Sequence, residues 1–267
     1  MSGEAAATWA RALGAWALPP EIVDAAPEGP WRFPPALFAW TPERAAAESG
    51  VATPSRSRAL EALPEGGSVL DVGAGGGRAS LPLAPPAALI VAVDASTELL
   101  AGFTESAERQ GVAHRAVEGR WPDIAADVEN QDIVVCHHVV YNVADLADFA
   151  MALTNHARRR VVLELTAQHP MTNLNPAFRE LHGLQRPTSP SADDAMAVLR
   201  ETGITPDSEA WERPLTAAAA NRAEVVAFAR RRLCVGPDRD AEIDALLGTD
   251  FESPVRQVVT LWWDGVA

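Results

Sequence analysis

The chain contains no lysine: all 22 basic residues are arginines, set against 36 acids, for a net charge of −14. An acidic chain without a basic face binds phosphate backbones poorly, so no nucleic-acid partner is expected. The basic runs, Arg158-Arg159-Arg160 and Arg230-Arg231-Arg232, read as solvated helix ends. Cysteine is scarce too. Cys136 and Cys234 make no disulfide framework, and no His/Cys/Asp cluster has metal-ligand spacing, so no metal is expected. Long apolar runs are missing: Leu81 to Val93 is 13 residues and carries three prolines, too short and broken to cross a bilayer. Met1-Ser2-Gly3-Glu4 has no basic start to an apolar segment, so no signal peptide is read there. These absences lead to the expectation of a soluble cytoplasmic protein with no membrane partner.

What is present suits one large α/β domain with an appendage, 267 residues long and 48% hydrophobic. The organising stretch is Ser68-Val69-Leu70-Asp71-Val72-Gly73-Ala74-Gly75-Gly76-Gly77-Arg78. Its apolar run between Gly66-Gly67 and Gly73 suits a buried parallel strand. Glycines then permit a tight turn and close backbone approach to a ligand, and a helix after them presents free N–H groups. A dinucleotide fingerprint needs a third glycine where this chain has Arg78, so that motif is incomplete.

With glycines at 73, 75 and 77 and an acid two residues before the first, the stretch resembles motif I of the class I S-adenosylmethionine (SAM) methyltransferases. A carboxylate is a favourable neighbour for the ammonium and sulfonium of SAM. The resemblance implies a Rossmann-like, doubly wound, seven-stranded sheet with its last strand antiparallel. It spans residues 64–267, and residues 1–63 form a helical N-terminal cap outside it.

The periodicity predicts helices over 4–18, 20–26, 35–49 and 54–63, punctuated by proline. Four of the eight tryptophans, Trp9, Trp16, Trp31 and Trp40, fall in this segment. They either glue the cap to the core or line a substrate pocket, Trp31 and Trp40 being the substrate candidates. Strands are predicted over 68–72, 89–93, 112–117, 132–136, 160–165, 204–211 and a β-rich run over 254–263, with helices over 96–110, 145–158, 193–202, 224–233 and 239–247. A helix shortened by Pro82 is expected after the glycine loop. Residues 166–190 read as an insertion, helical over 176–183.

The resemblance assigns Asp71, Gly73, Ala74, Gly75 and Gly77 to the cofactor. Asp94 ends the second strand 19 residues past Gly75 and, by resemblance, meets the ribose hydroxyls, with Ala95 beside it. After strand 3, Gly119-Arg120-Trp121-Pro122-Asp123 departs from the family's Gly-Asp: Arg120 replaces the acid. Trp121 either stacks on adenine or packs a following helix, and Asp123 is a substitute acid.

Strand 4 runs into Cys136-His137-His138-Val139-Val140-Tyr141-Asn142. In the family this loop passes under the methionine part of SAM and opens onto the acceptor, which places Cys136 and His137 near the cofactor and His138, Tyr141 and Asn142 near the substrate. The Asn/Asp-Pro-Pro-Tyr of DNA and glutamine N-methyltransferases is absent. Methyl transfer to a neutral oxygen or nitrogen needs proton removal, so His137 or His138 is the candidate base, with Tyr141 as orienter. Strand alternation predicts that only one of the two histidines faces the acceptor. Beyond strand 5, His169 is a further substrate candidate, and Glu164 is either a second acid of the site or a buried paired carboxylate.

The residues thus point to a SAM-dependent methyltransferase acting on an O or N atom of a small molecule, with SAM as cofactor and homo-oligomerisation left open. A SAM-binding regulatory or assembly protein without transferase activity is the alternative, and a nicotinamide oxidoreductase the third.

Overall fold

The structure is a computed structural model that describes residues 3–30, 40–48, 50–214, 222–248 and 255–266. Its centre is a seven-stranded sheet of order β3-β2-β1-β4-β5-β7-β6. The strands are β1 (Ser68–Val72), β2 (Leu89–Asp94), β3 (Ala113–Glu118), β4 (Gln131–His137), β5 (Ala157–Thr166), β6 (Asp207–Pro214) and β7 (Val255–Asp264). The first five pair in parallel, while β7 is antiparallel to both β5 and β6. The ends of β1, β4, β5 and β6 and the start of β7 therefore lie along one edge. Both faces are apolar: Leu70, Val134 and Leu163 pack on one, and Val69, Ile133 and Val162 on the other.

Ten α-helices surround the sheet among the described residues: α1 (Glu4–Gly14), α2 (Pro20–Asp24), α3 (Pro42–Glu48), α4 (Pro54–Ala62), α5 (Thr97–Gln110), α6 (Leu146–His156), α7 (Asn175–His182), α8 (Ala192–Glu201), α9 (Arg222–Arg232) and α10 (Asp240–Leu247). Local chemistry sets their ends. Ser96 caps α5 through the Leu99 N–H, and Gly111 closes it in the left-handed conformation. Ser191 and Asp194 form a capping box on α8.

One expectation is corrected. No α-helix follows the glycine loop: residues 75–80 are turns, and only a single 3-10 turn forms at Leu81–Leu83. Four glycines between 73 and 77, then Pro82, Pro85 and Pro86, leave no stretch able to nucleate an α-helix. The N-terminal helices pack against the sheet domain. Trp9 of α1 is fully buried in the same cluster as Leu70 and Val134, and the α1 N–H groups of Ala5 and Ala6 donate to Glu201 of α8. Helix α4 packs directly on β5 and β7. Helices α7, α9 and α10 share a third small core around Phe178, Leu233 and Ile243.

Candidate active site

The site lies along the edge where the parallel strands end, the position at which open α/β sheets take ligands. One side is the glycine loop. Gly73, at φ 71°, turns the chain out of β1, and a Cβ there would lie 2.3 Å from Val139 Cγ2. That contact seats the loop after β4 directly against the glycine loop, and no other residue type permits it. The Gly73 and Ala74 N–H groups donate to Val93 O at 2.8 and 3.1 Å. Gly75, at φ 53°, donates its N–H to Asp94 Oδ2 at 2.9 Å, and Ser96 N–H donates to Asp94 Oδ1 at 2.9 Å. Asp94 thus joins the two loops, with one N–H on each carboxylate oxygen and lone pairs to spare. Gly119 N–H donates to Asp94 O, which adds the loop after β3. Ala95 is exposed beside it.

Asp71 lies beneath this loop, almost fully buried. Its Oδ2 accepts from Ser80 Oγ at 2.6 Å, while Oδ1 has no hydrogen-bond partner. Burial pushes its pKa up to about 7; the Ser80 hydrogen bond works against that, and Asp94 adds to it. Gly77 serves packing: a Cβ there would meet Leu81 and Phe103.

The other side gathers polar side chains from across the chain. Glu164 of β5 is fully buried. Ser55 Oγ of α4 donates to its Oε2 at 2.6 Å and lies 2.7 Å from Thr260 Oγ1 of β7. Arg213 Nη1 of β6 lies 2.9 Å from Oε1, and His138 Nε2 lies 2.9 Å from the same oxygen. The Arg213 guanidinium also stacks over Trp211, whose Nε1 donates to Thr260 Oγ1 at 3.0 Å. Burial raises the Glu164 pKa, but His137, His138 and Arg213 together outweigh it and hold the carboxyl well below the usual range.

His138 departs from the strand alternation. Its φ is 61°, a conformation few non-glycine residues adopt, and its N–H donates to Glu164 O at 2.7 Å. The left-handed turn brings its ring to the same carboxylate as that of His137, whose Nδ1 is 3.9 Å from Glu164 Oε2. The two rings differ in access. The His138 side chain is 36% exposed against 16% for His137. Burial pushes the His137 pKa down to about 4, and its Nε2 has no hydrogen-bond partner.

Other candidates fall elsewhere. Tyr141 is buried, with its hydroxyl donating to Thr166 O at 2.7 Å and its ring between Trp9 and His169, so it is a packing residue rather than an orienter. His169 is stacked on Trp16 at 3.8 Å, and burial with Arg186 nearby lowers its pKa to about 4. Asn142 is exposed and donates to Val139 O. Trp121 does not present a stacking face: it is buried in the core with its ring edge-on to His156. Arg120 and Asp123 are exposed. Cys136 is fully buried on the opposite sheet face from Asp71, with burial raising its thiol pKa. Trp40 is a core residue beside Leu81 and Phe103, its carbonyl accepting from Ser106 Oγ, not a substrate contact. Trp31 lies outside the described residues.

Sequence reading missed Ser55, Trp211, Arg213 and Thr260. The alternation Glu209-Ala210-Trp211-Glu212-Arg213, which puts three polar or aromatic side chains on one face of β6 at its ligand end, was the available signal.

Residues 69–163 match a family model described as a methyltransferase domain. Among solved structures, YcgJ from Bacillus subtilis is 16% identical, with a TM-score of 0.53, covering 80% of this chain and 98% of that one. A candidate methyltransferase from Bacillus halodurans C-125 is 16% identical, with a TM-score of 0.54, covering 79% and 99%. At these identities the likeness is one of fold. No curated protein matches the chain in sequence. The fold and the matched segment define a class I methyltransferase. A methyltransferase domain of this fold implies methylation from SAM as the cofactor. Among the described residues no helix is long and apolar enough to cross a membrane.

Proposed function

We propose that this methyltransferase acts on an oxygen or nitrogen of a small-molecule acceptor, with His138 as general base and Glu164 as the carboxylate that orients it. The observation that carries the reading is the 2.9 Å approach of His138 Nε2 to a buried, ionised Glu164, beside a loop that packs on the glycine turn. The residues present fit SAM: a glycine turn with left-handed backbone, an acid at the end of β2 with free lone pairs, and a buried carboxylate oxygen without a partner. Gly73, Ala74, Gly75 and Asp94 would hold the cofactor, with Asp71 beneath them.

SAM, when bound, supplies an electrophilic methyl group on a sulfonium. The chain's own part is to place the acceptor and receive its proton. His138 receives the acceptor's proton, and the buried carboxylate 2.9 Å from its Nε2 stabilises the imidazolium that results. His137 is held neutral and is the weaker base, since burial lowers its pKa to about 4. The acidic surface and the absent Asn-Pro-Pro-Tyr favour a small acceptor over a nucleic acid or a glutamine side chain.

The test is S-adenosylhomocysteine production from SAM with a panel of phenols, carboxylic acids and amines, followed by pH profiles from 5 to 9. His138→Ala should lose about 10²–10⁴-fold in turnover with unchanged SAM affinity, and its profile should lose the acid limb. A loss below about threefold with the limb intact would remove His138 as base. No turnover with any acceptor, alongside tight SAM binding, would favour the regulatory alternative.

A further inference from the structure

His138 Nε2, Glu164 Oε1 and Arg213 Nη1 form a triangle with sides of 2.9, 2.9 and 3.1 Å. The two neighbours make opposite demands on one ring nitrogen. Glu164 is a permanent acceptor and favours a proton on Nε2. Arg213 is a permanent donor and cation, which favours a lone pair there and opposes an imidazolium. Arg213 is itself fixed: Nη2 reaches Glu164 Oε2 at 3.4 Å, and the guanidinium lies 5.1 Å from the centre of the Trp211 ring.

We infer that Arg213 is a positioning residue that offsets Glu164 at His138, keeping the ring neutral in the resting enzyme while Glu164 remains ready to stabilise the imidazolium. A buried carboxylate alone would draw a proton onto the ring before any acceptor arrived, and a histidine already protonated cannot accept another. The guanidinium, 3.1 Å from the same nitrogen that lies 2.9 Å from the carboxylate, opposes that pull. The charged and titratable groups around the ring are Glu164 from β5, Arg213 from β6 and His137 from β4, with Arg78 of the glycine loop acting on His137. Arg213 lies outside the segment, residues 69–163, that the family model matches.

The inference rests on His138 being the base, yet its test needs no acceptor. The protein labelled with ¹⁵N-histidine is titrated from pH 5 to 9, with His138→Gln identifying the His138 ring among the six histidines. Arg213→Met should raise the His138 midpoint by about one pH unit or more, because Glu164 then acts unopposed. Arg213→Lys keeps the charge and should restore most of the shift. Glu164→Gln should move the midpoint the other way, and it decides the matter if Arg213→Met fails to fold. A midpoint within about 0.3 unit of wild type in Arg213→Met, or an unmoved midpoint in Glu164→Gln, overturns the role. The expected shifts combined with full turnover in His138→Ala would keep Arg213 as the counterweight and discard His138 as base.

Discussion

The two sides of the site are made of different material. On the glycine-loop side the working groups are mostly backbone, supplied by three loops that follow β1, β2 and β3 and are joined through Asp94. On the β4–β6 side they are side chains: Ser55, His138, Glu164, Arg213 and Thr260 come from five separate elements. Backbone geometry survives most substitutions and fails where a glycine gains a side chain. A side-chain cluster around one buried carboxylate depends on charge balance, so removing one member leaves the rest uncompensated. The first construction suits a cofactor shared by many enzymes, and the second an acceptor particular to one.

The largest effect that separates the two sides is expected from Glu164→Ala. It leaves Arg213 and Ser55 facing a cavity, and about 3–5 kcal/mol of stability should be lost in urea unfolding. Glu164→Gln keeps the shape and should cost less. Equal losses in both would mean that packing, not charge, holds this side together.

Next in size is Asp94→Ala. Two carboxylate oxygens that tie Gly75 and Ser96 together are removed, along with the acceptor proposed for the ribose. SAM affinity by calorimetry should fall by about 100-fold or more, from charge-assisted hydrogen bonds worth roughly 1.5–3 kcal/mol each. Native affinity in the folded variant would detach Asp94 from the cofactor. Ser55→Ala should be milder, costing roughly 1.5–3 kcal/mol in stability by urea unfolding with SAM affinity unchanged, because its hydroxyl serves only the far side. A change in SAM affinity as large as that of Asp94→Ala would show that the two sides are coupled.

The same division explains what could be read in advance. The glycine-loop side was legible because its parts are close in sequence: Asp71, the glycines and Asp94 lie on consecutive strand ends, and Ser96 carries its own capping signal. The strand order followed from alternating strands and helices, with the antiparallel last strand drawn from the resemblance. The β4–β6 side was half legible. His137 and His138 stood out at the end of β4 and Glu164 was read as either a second acid of the site or a buried paired carboxylate, but no local signal pairs them with Ser55 of α4 and Arg213 of β6. The sharing of Glu164 by both histidine rings was not legible for a local reason, since strand alternation ends where the φ of His138 becomes positive. The glycine loop's missing helix was misread because Pro82 was taken as a terminator and not, with four glycines, as one of several breakers. Trp121 and Trp40 were each open to two readings, ligand contact or core packing, because an aromatic residue type suits both; in the structure both are buried in the core.

A last effect, spread over several pH units, sharpens the comparison through pH. Asp71 and His137 are both buried, one on each side of the site, and burial moves them oppositely: Asp71 up to about 7, His137 down to about 4. For Asp71 the folded pKa lies above its ordinary value of 3.8, so its contribution to stability is fully present below that value and is lost as pH rises toward 7. For His137 the folded pKa lies below 6.5, so stability is present above that value and is lost as pH falls toward 4. His169, also lowered to about 4, acts with His137. Between pH 4 and 6.5 the glycine-loop side therefore opposes the histidines, each group contributing a slope of about 1.4 kcal/mol per pH unit at most. Asp71→Asn deletes one side of that opposition. The stability of the variant minus that of wild type should climb by about 1.4 kcal/mol per pH unit from pH 4 to 7 and stay flat above it. Urea unfolding at pH 4.5, 5.5, 6.5 and 7.5 measures the difference. A difference that does not change across this range would mean that Asp71 is ionised in the folded protein, with a cation or water on its unpartnered Oδ1 in place of a proton.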